Sequence, residues 1–249
     1  MQQPEQSWRG RSVLVTGAAA RIGRAIARAF AQAGADVVVH HRRSAARAEE
    51  AAAELRALGV RATTLQADQA RDGEPERLVA QAVQAHGRLD ALICNAAEFE
   101  QIPATELTRA RFDAMLAANL SGPFQLARAA HPHLRERNGA IVNLLDLCGT
   151  AQVWKGYAHY AAAKAGLAAL TRLLALEWAP DVRVNGVAPG AILLADSANS
   201  ADRDRVLRRI PAGRPGTPEE VARAVLFLAS EPFVTGQILA VDGGRSVNP

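Results

Sequence analysis

At 249 residues, 49% hydrophobic and 22% charged, the chain carries enough apolar material for one α/β domain with a large core. The net charge of +4 and sequence pI near 9.7 come from arginines scattered among acids, and without a basic block or aromatic-interleaved patch a nucleic-acid partner is not expected. The polar start MQQPEQSWRG and the lack of any apolar run of spanning length point to a cytoplasmic protein with no membrane contact. Cys94 and Cys148 lack C-x-x-C or metal-ligand spacing and read as core residues, so no metal is expected.

The first unit runs from Arg11 to Phe30. Val13, Leu14 and Val15 make a buried strand ending at Thr16-Gly17, and Ile22, Ala25, Ile26, Ala29 and Phe30 recur with helical period. Between them lies Gly17-Ala-Ala-Ala-Arg21-Ile22-Gly23, where glycine permits a tight turn and the helix start offers N–H groups to a phosphate. The literal G-x-G-x-x-G is absent, because Ala19 and Arg21 stand where further glycines are expected. A Walker-type loop is excluded: the only lysines are Lys155 and Lys164.

Ala35 to His40 reads as the second strand, followed by His41, Arg42, Arg43 and Ser44. An acid at this strand end binds the ribose hydroxyls of NAD; here the position is basic, which suits the 2′-phosphate of NADP(H), with Arg21 able to reach the same group. Ser44 reads as the cap of a helix ending near Leu58-Gly59. Thr63 to Ala67 is a third strand with Asp68 beyond it, placed either for the adenine amine or for a helix cap. Glu74 to His86 is helical, and Ala91 to Cys94 is a strand ending at Asn95-Ala96. Thr108 to about Leu134 is largely helical, with a break expected near Gly122-Pro123 and Asn119 alongside the site.

Ala140 to Leu145 is the fifth strand and Asp146 follows it. A long helix from Tyr157 to Trp178 is apolar nearly all round, which predicts burial on all sides and a contact between copies of the chain. Tyr160 and Lys164 lie one turn apart on it. An ammonium near a tyrosine stabilises its phenolate, so a lowered Tyr160 pKa is expected, fit for passing a proton. Val182 to Ala188 is the sixth strand, closed by Pro189-Gly190; 192–215 reads as a substrate lid; Thr217-Pro218-Glu219-Glu220 starts a helix to about Ala229; Gln237 to Val241 is the last strand. The alternation predicts a single Rossmann-like, doubly wound parallel sheet of about seven strands with helices on both faces, with residues 1–249 as one domain.

TGAAARIG, NAA, Asn119, Tyr160-x-x-x-Lys164 and VNGVAPG, in this order, resemble the short-chain dehydrogenase/reductase family over nearly the whole chain. The resemblance implies that Gly17, Arg21, Ile22, Gly23, His41, Arg42, Arg43, Ser44, Asp68, Asn95, Ala96, Pro189 and Gly190 bind NADP(H), and that Tyr160 and Lys164 do so as well. It also implies that Tyr160 is the proton donor, Lys164 its activator, and Asn119 the holder of a relay water. Arg21, the H-H-R-R-S strand end and Asp146 at the usual catalytic serine position are similar to pteridine reductases and the related dihydromonapterin/dihydrofolate reductases. That branch implies a pterin or folate substrate touched by Asp146, Tyr160 and Phe99, with Phe99 stacking the ring against the nicotinamide, and a homo-oligomer, a homotetramer being favoured. The alternatives are an NADPH-dependent carbonyl reductase acting on a 3-oxoacyl thioester, sugar or steroid, and a non-catalytic NADP-binding regulator. The interval from Asp146 to Tyr160 is one residue longer than the family usually has, which leaves Asp146 and Leu147 as alternatives for the serine position.

Overall fold

The computed structural model describes residues 8–192 and 200–248. Its strands are β1 (Ser12–Val15), β2 (Asp36–His41), β3 (Ala62–Gln66), β4 (Ala91–Cys94), β5 (Ala140–Leu144), β6 (Arg183–Pro189) and β7 (Ile238–Val241). They form one sheet in the order β3-β2-β1-β4-β5-β6-β7, with every pairing parallel. The strand order reverses between β1 and β4, and ligands of such sheets bind in the crevice beyond the strands' carboxyl ends at that point.

Helices α1 (Arg21–Gln32), α2 (Ala45–Ala57) and α8 (Pro218–Ser230) contribute to a core on one face of the sheet. Helices α3 (Glu74–His86), α5 (Gly122–Arg135) and α6 (Ala158–Glu177) cover the other. Two-residue alternation divides the strands accordingly: Val13, Val15, Val37, Val39 and Ile93 belong to the first core, and Leu14, Val38, Leu92, Cys94 and Ile141 to the second. Both cysteines are buried and free. Among the described residues, no cluster of side chains suits a metal and no helix is long and apolar enough to cross a membrane.

Several elements differ locally from the reading of the sequence. β2 extends to His41, so that residue belongs to the strand rather than to the loop after it. The helical stretch from Thr108 breaks before Gly122: α4 (Arg109–Leu116) passes into a π-turn over Ala117–Ser121 and then into α5. Pro123 has no N–H to give the carbonyl four residues earlier, that of Asn119, and the wider turn lies where this bond is missing. Ser44 occupies the cap position of α2 without a side-chain hydrogen bond, whereas Thr217 and Glu220 complete the reciprocal cap of α8. In the proposed lid, α7 (Ser200–Leu207) is helical, and residues 193–199 lie outside the described residues.

Within one chain α6 is not buried all round. His159, Tyr160, Ala163, Lys164, Leu167 and Leu174 are buried, while Ala162, Ala165, Ala169, Leu173 and Leu176 form an exposed apolar strip, Leu176 at 78%. The all-round apolar composition thus exceeds what a single chain covers. Light scattering across dilution tests the expected contact between copies: a mass above the 26.4 kDa of one chain is expected at micromolar concentration, and a lower mass for Ala169→Arg.

Candidate active site

The carboxyl end of β1 is tied down by side chains from its neighbours. Thr16 Oγ1 donates to the Ile93 carbonyl at 3.3 Å and accepts the backbone N–H groups of Asn95 and Ala96, both at 2.9 Å. The Asn95 amide donates to the carbonyls of Thr16 (2.8 Å) and Gly17 (3.3 Å). From β2, His40 Nδ1 accepts the Gly17 N–H at 3.2 Å while its Nε2 donates to the Ala67 carbonyl at 3.1 Å. These two bonds define one neutral tautomer, and burial pushes the His40 pKa down to about 4.

Gly17 has φ +64°, and a Cβ on Gly23 would stand 2.3 Å from the Gly17 carbonyl oxygen, so the turn packs directly on the start of α1. The first N–H groups of α1 have no partners within the helix. With Arg21 and Ile22 they open on a cleft of about 870 Å³ along the carboxyl ends of the strands. Gly17, Gly23, Asp68, Asn95, Ala96, Pro189 and Gly190 line the same cleft, and Gly190 is fixed by donating its N–H to the Val241 carbonyl at 3.0 Å. Asp68 holds the Ala70 N–H at 3.2 Å with one carboxylate oxygen and leaves the residue half-buried toward the cleft. Asp68 therefore closes a local turn and does not cap α3, whose cap position is held by Gly73.

The H-H-R-R-S segment does not act as one cluster. Arg42 lines the cleft and pairs with Glu98 across it. That pair is partly exposed and weak enough for a phosphate to displace. Arg43 lines a smaller adjoining depression with Arg111, and Ser44 is exposed. His41 is turned away from the cleft and buried, because neighbours along a strand point to opposite faces. The cofactor role expected of His41 is corrected on this ground: His40 is the residue of the strand end that reaches the site.

At the far end of the cleft, Tyr160 donates its hydroxyl to Asp146 Oδ2 at 2.9 Å, and Asp146 Oδ1 accepts the Cys148 N–H at 2.8 Å. Of the two alternatives, Asp146 is the residue that bonds Tyr160, and Leu147 is fully buried in a small core with Leu145, Leu167 and Ala188. In the turn that follows, the Leu147 carbonyl accepts the N–H groups of Thr150, Ala151 and Gln152.

Lys164 Nζ donates to the Leu144 carbonyl at 2.6 Å and lies 5.7 Å from the centre of the Tyr160 ring. Burial lowers its pKa to about 8, with Asp146 opposing the fall. The lowered pKa expected for Tyr160 is not what this geometry produces. Burial raises it, and the Asp146 carboxylate raises it further by repelling a phenolate and accepting the phenol's proton. Asp146 is itself raised by burial, against the bonds from Cys148 and Tyr160. Tyr160 therefore retains its proton, as suits a donor.

Asn119 lies in the π-turn with its amide engaged: Nδ2 donates to the Glu98 carbonyl at 2.8 Å and Oδ1 accepts the Glu98 N–H at 2.9 Å. Both atoms of the amide are thus engaged by the Glu98 backbone, and Nδ2 also faces Met115 Sδ at 2.8 Å. Phe99 stands at the mouth of the cleft, 56% exposed, stacked on Tyr157 at 4.7 Å and edge-on to Tyr160 at 4.9 Å. One face of Phe99 is thus already covered. Tyr157, Trp154 and Arg245, also on the lining, were not singled out by sequence; the aromatic pair before Tyr160 was the available signal.

A nucleotide-binding switch point joined to a buried tyrosine and lysine defines a nicotinamide-dependent oxidoreductase. The chain belongs to the short-chain dehydrogenase/reductase family. The profile of a family described as enoyl-(acyl carrier protein) reductase matches residues 17–246. A 3-oxoacyl-[acyl-carrier-protein] reductase FabG of Staphylococcus epidermidis is 36% identical over 241 residues, covering 94% of this chain and 98% of that protein. A ketoacyl reductase assigned to the granaticin polyketide synthase of Streptomyces violaceoruber is 40% identical over 240 residues, covering 93% and 94%. Among solved structures, a short chain dehydrogenase of Burkholderia cenocepacia in complex with NADP superposes with a TM-score of 0.89 at 33% identity, covering 95% of this chain and 98% of that one. The resemblance to the pteridine reductase branch is not carried by these relatives.

The buried Lys164 gives a pH-dependent test. Its pKa of about 8 lies below the 10.5 of a free lysine, so the unfolded chain binds the extra proton between these values and stability rises with pH through that window. The unfolding free energy of Lys164→Met minus that of wild type is expected to fall by about 2 kcal/mol between pH 7 and pH 10. Denaturant melts at the two pH values measure it; a constant difference would mean that the ammonium is not destabilised by burial.

Proposed function

We propose that the chain is an NADPH-dependent reductase of a flat, nitrogen-containing ring of the pterin or dihydrofolate type. The observation that carries this reading is the Asp146 carboxylate bonded to the Tyr160 hydroxyl at the end of an aromatic-walled cleft. A carboxylate accepts hydrogen bonds from ring N–H and amino groups, which a pterin offers and a simple ketone lacks. The free face of Phe99 and the rings of Tyr157 and Trp154 suit a planar substrate.

Bound NADPH supplies the hydride. The α1 start and the Gly17 turn receive its pyrophosphate, and Arg42, with Arg43 and Arg21 nearby, receives the 2′-phosphate. As the substrate's C=N carbon gains hydride, its nitrogen takes the Tyr160 proton: the phenolic O–H breaks and an N–H forms. The phenolate left behind lies beside the Lys164 ammonium, which stabilises it until solvent returns a proton. The family's nicotinamide ribose contact falls to Tyr160 and Lys164.

A second reading is favoured by the relatives' names: reduction of a 3-oxoacyl thioester. It places a carbonyl oxygen where Asp146 stands, a favourable contact only when the carboxyl is protonated.

Side-by-side turnover of dihydrobiopterin, dihydrofolate and an acetoacetyl thioester with NADPH decides between the two. Wild type is expected to favour the pterins. Asp146→Ser is expected to lower kcat/KM for them by about a hundredfold while raising it for the thioester. A wild-type preference for the thioester would establish the second reading. Tyr160→Phe is expected to retain NADPH binding and lose turnover about a hundredfold to about ten-thousandfold, measured by single-turnover kinetics. Arg42→Ala is expected to weaken NADPH about tenfold relative to NADH, read by titration with both cofactors.

A further inference from the structure

Arg245 begins the short helical turn Arg245–Val247 that follows β7. Its backbone is fixed from two sides. Asp242 accepts the N–H groups of Gly244 at 2.9 Å and Ser246 at 2.6 Å through its carboxylate, and that of Arg245 at 3.2 Å through its carbonyl. Gln152 Nε2 donates to the Arg245 carbonyl at 2.9 Å. The side chain is thereby delivered to the lining of the cleft, with its guanidinium 5.4 Å from the centre of the Trp154 ring. An arginine stacked on an aromatic plane keeps its in-plane donors free for a ligand.

Those donors are unused. Arg61, Arg88 and Arg214 each hold a carboxylate, but Arg245 has no acid within ion-pair distance among the described residues, and its Nε is shielded from solvent without an acceptor. Burial and the nearby Arg209 both disfavour its charge, and the more distant Asp146 and Asp242 offset this only in part. A guanidinium remains charged under such conditions, so Arg245 leaves an incompletely balanced positive charge on the lining of the cleft.

We propose that Arg245, seated on Trp154, binds an oxyanion carried on the tail of the substrate, making the enzyme selective for acid-tailed over neutral-tailed substrates. The ring assignment rests on the functional reading above; the anion subsite does not. The two terminal Nη groups fit a carboxylate or a phosphate in two-point fashion. A carboxylate belongs to the glutamate tail of a folate, a phosphate to the pantetheine arm of an acyl thioester.

The test separates these sources and needs no turnover. With wild type, Arg245→Met and Arg245→Lys saturated with NADP⁺, calorimetry compares p-aminobenzoylglutamate, neutral p-aminobenzamide and phosphopantetheine. Wild type is expected to bind p-aminobenzoylglutamate about tenfold more tightly than p-aminobenzamide. The advantage is expected to vanish in Arg245→Met and return in part in Arg245→Lys. In turnover, the ratio of KM for dihydrofolate to KM for dihydrobiopterin is expected to rise about tenfold in Arg245→Met. If only phosphopantetheine depends on Arg245, the anion subsite stands and the pterin reading falls. If wild type turns over neither pterin, the functional reading fails while the titrations still decide Arg245. Equal binding of both acids by wild type and Arg245→Met overturns the subsite.

Discussion

The site depends on how the backbone is held where β1 ends. A parallel strand that stops in a crevice leaves peptide groups without ladder partners, and an unpaired buried peptide is expensive. Here Thr16, Asn95 and His40, from three adjacent strands, supply those partners. Because each bonds to main chain rather than to another side chain, the turn is set rigidly against the start of α1, and the helix N–H groups are aimed before any phosphate arrives. Asn95, expected among the cofactor ligands, serves this framework with its amide. Neutral His40 does the same on the other flank: burial depresses its pKa, and the unprotonated ring accepts the Gly17 N–H.

The other end of the cleft is organised by burial of charge. Lys164, Tyr160 and Asp146 sit close together with little water, and each is pushed toward its neutral form. Low polarity magnifies the mutual effects of such groups, so the state of one fixes the states of the others. A hydroxyl in place of Asp146 would leave the tyrosine influenced mainly by the lysine. The carboxylate instead retains the phenolic proton and presents an acceptor to the substrate. The pterin proposal rests on this one difference, because folds of this kind do not themselves specify the reaction.

Between the two ends, the cleft wall is built from Phe99, Trp154 and Tyr157, residues from the loops after β4 and β5. Loops carried by a rigid parallel sheet can vary in length without moving the strands. In the loop after β5, Leu147 turns into the core and the Asp146 carboxylate stays in line with Tyr160.

The architecture was legible in the sequence because its signals are local and periodic. Short apolar strands alternating with amphipathic helices require a doubly wound sheet, and the Gly17–Gly23 turn, Tyr160 and Lys164 could be placed on it by spacing, while spacing left Asp146 and Leu147 as alternatives. The sequence also indicated a basic end to β2, and Arg42 stands in the cleft. What it did not determine was orientation. One residue of strand extension sends His41 away from the cleft and His40 into it, and chain order alone cannot show where a strand ends. Nor could pairing reveal that the Asn119 amide is engaged by the Glu98 backbone, or that burial, reinforced by Asp146 fourteen positions before Tyr160, reverses the shift expected from Lys164 alone. Arg245 reaches the cleft across a separation of 93 residues from Gln152, which holds its carbonyl. Local pattern fixes which elements form, but hydrogen bonds and charge interactions between residues distant in the chain decide which atoms remain free, and only the tertiary structure brings those partners together.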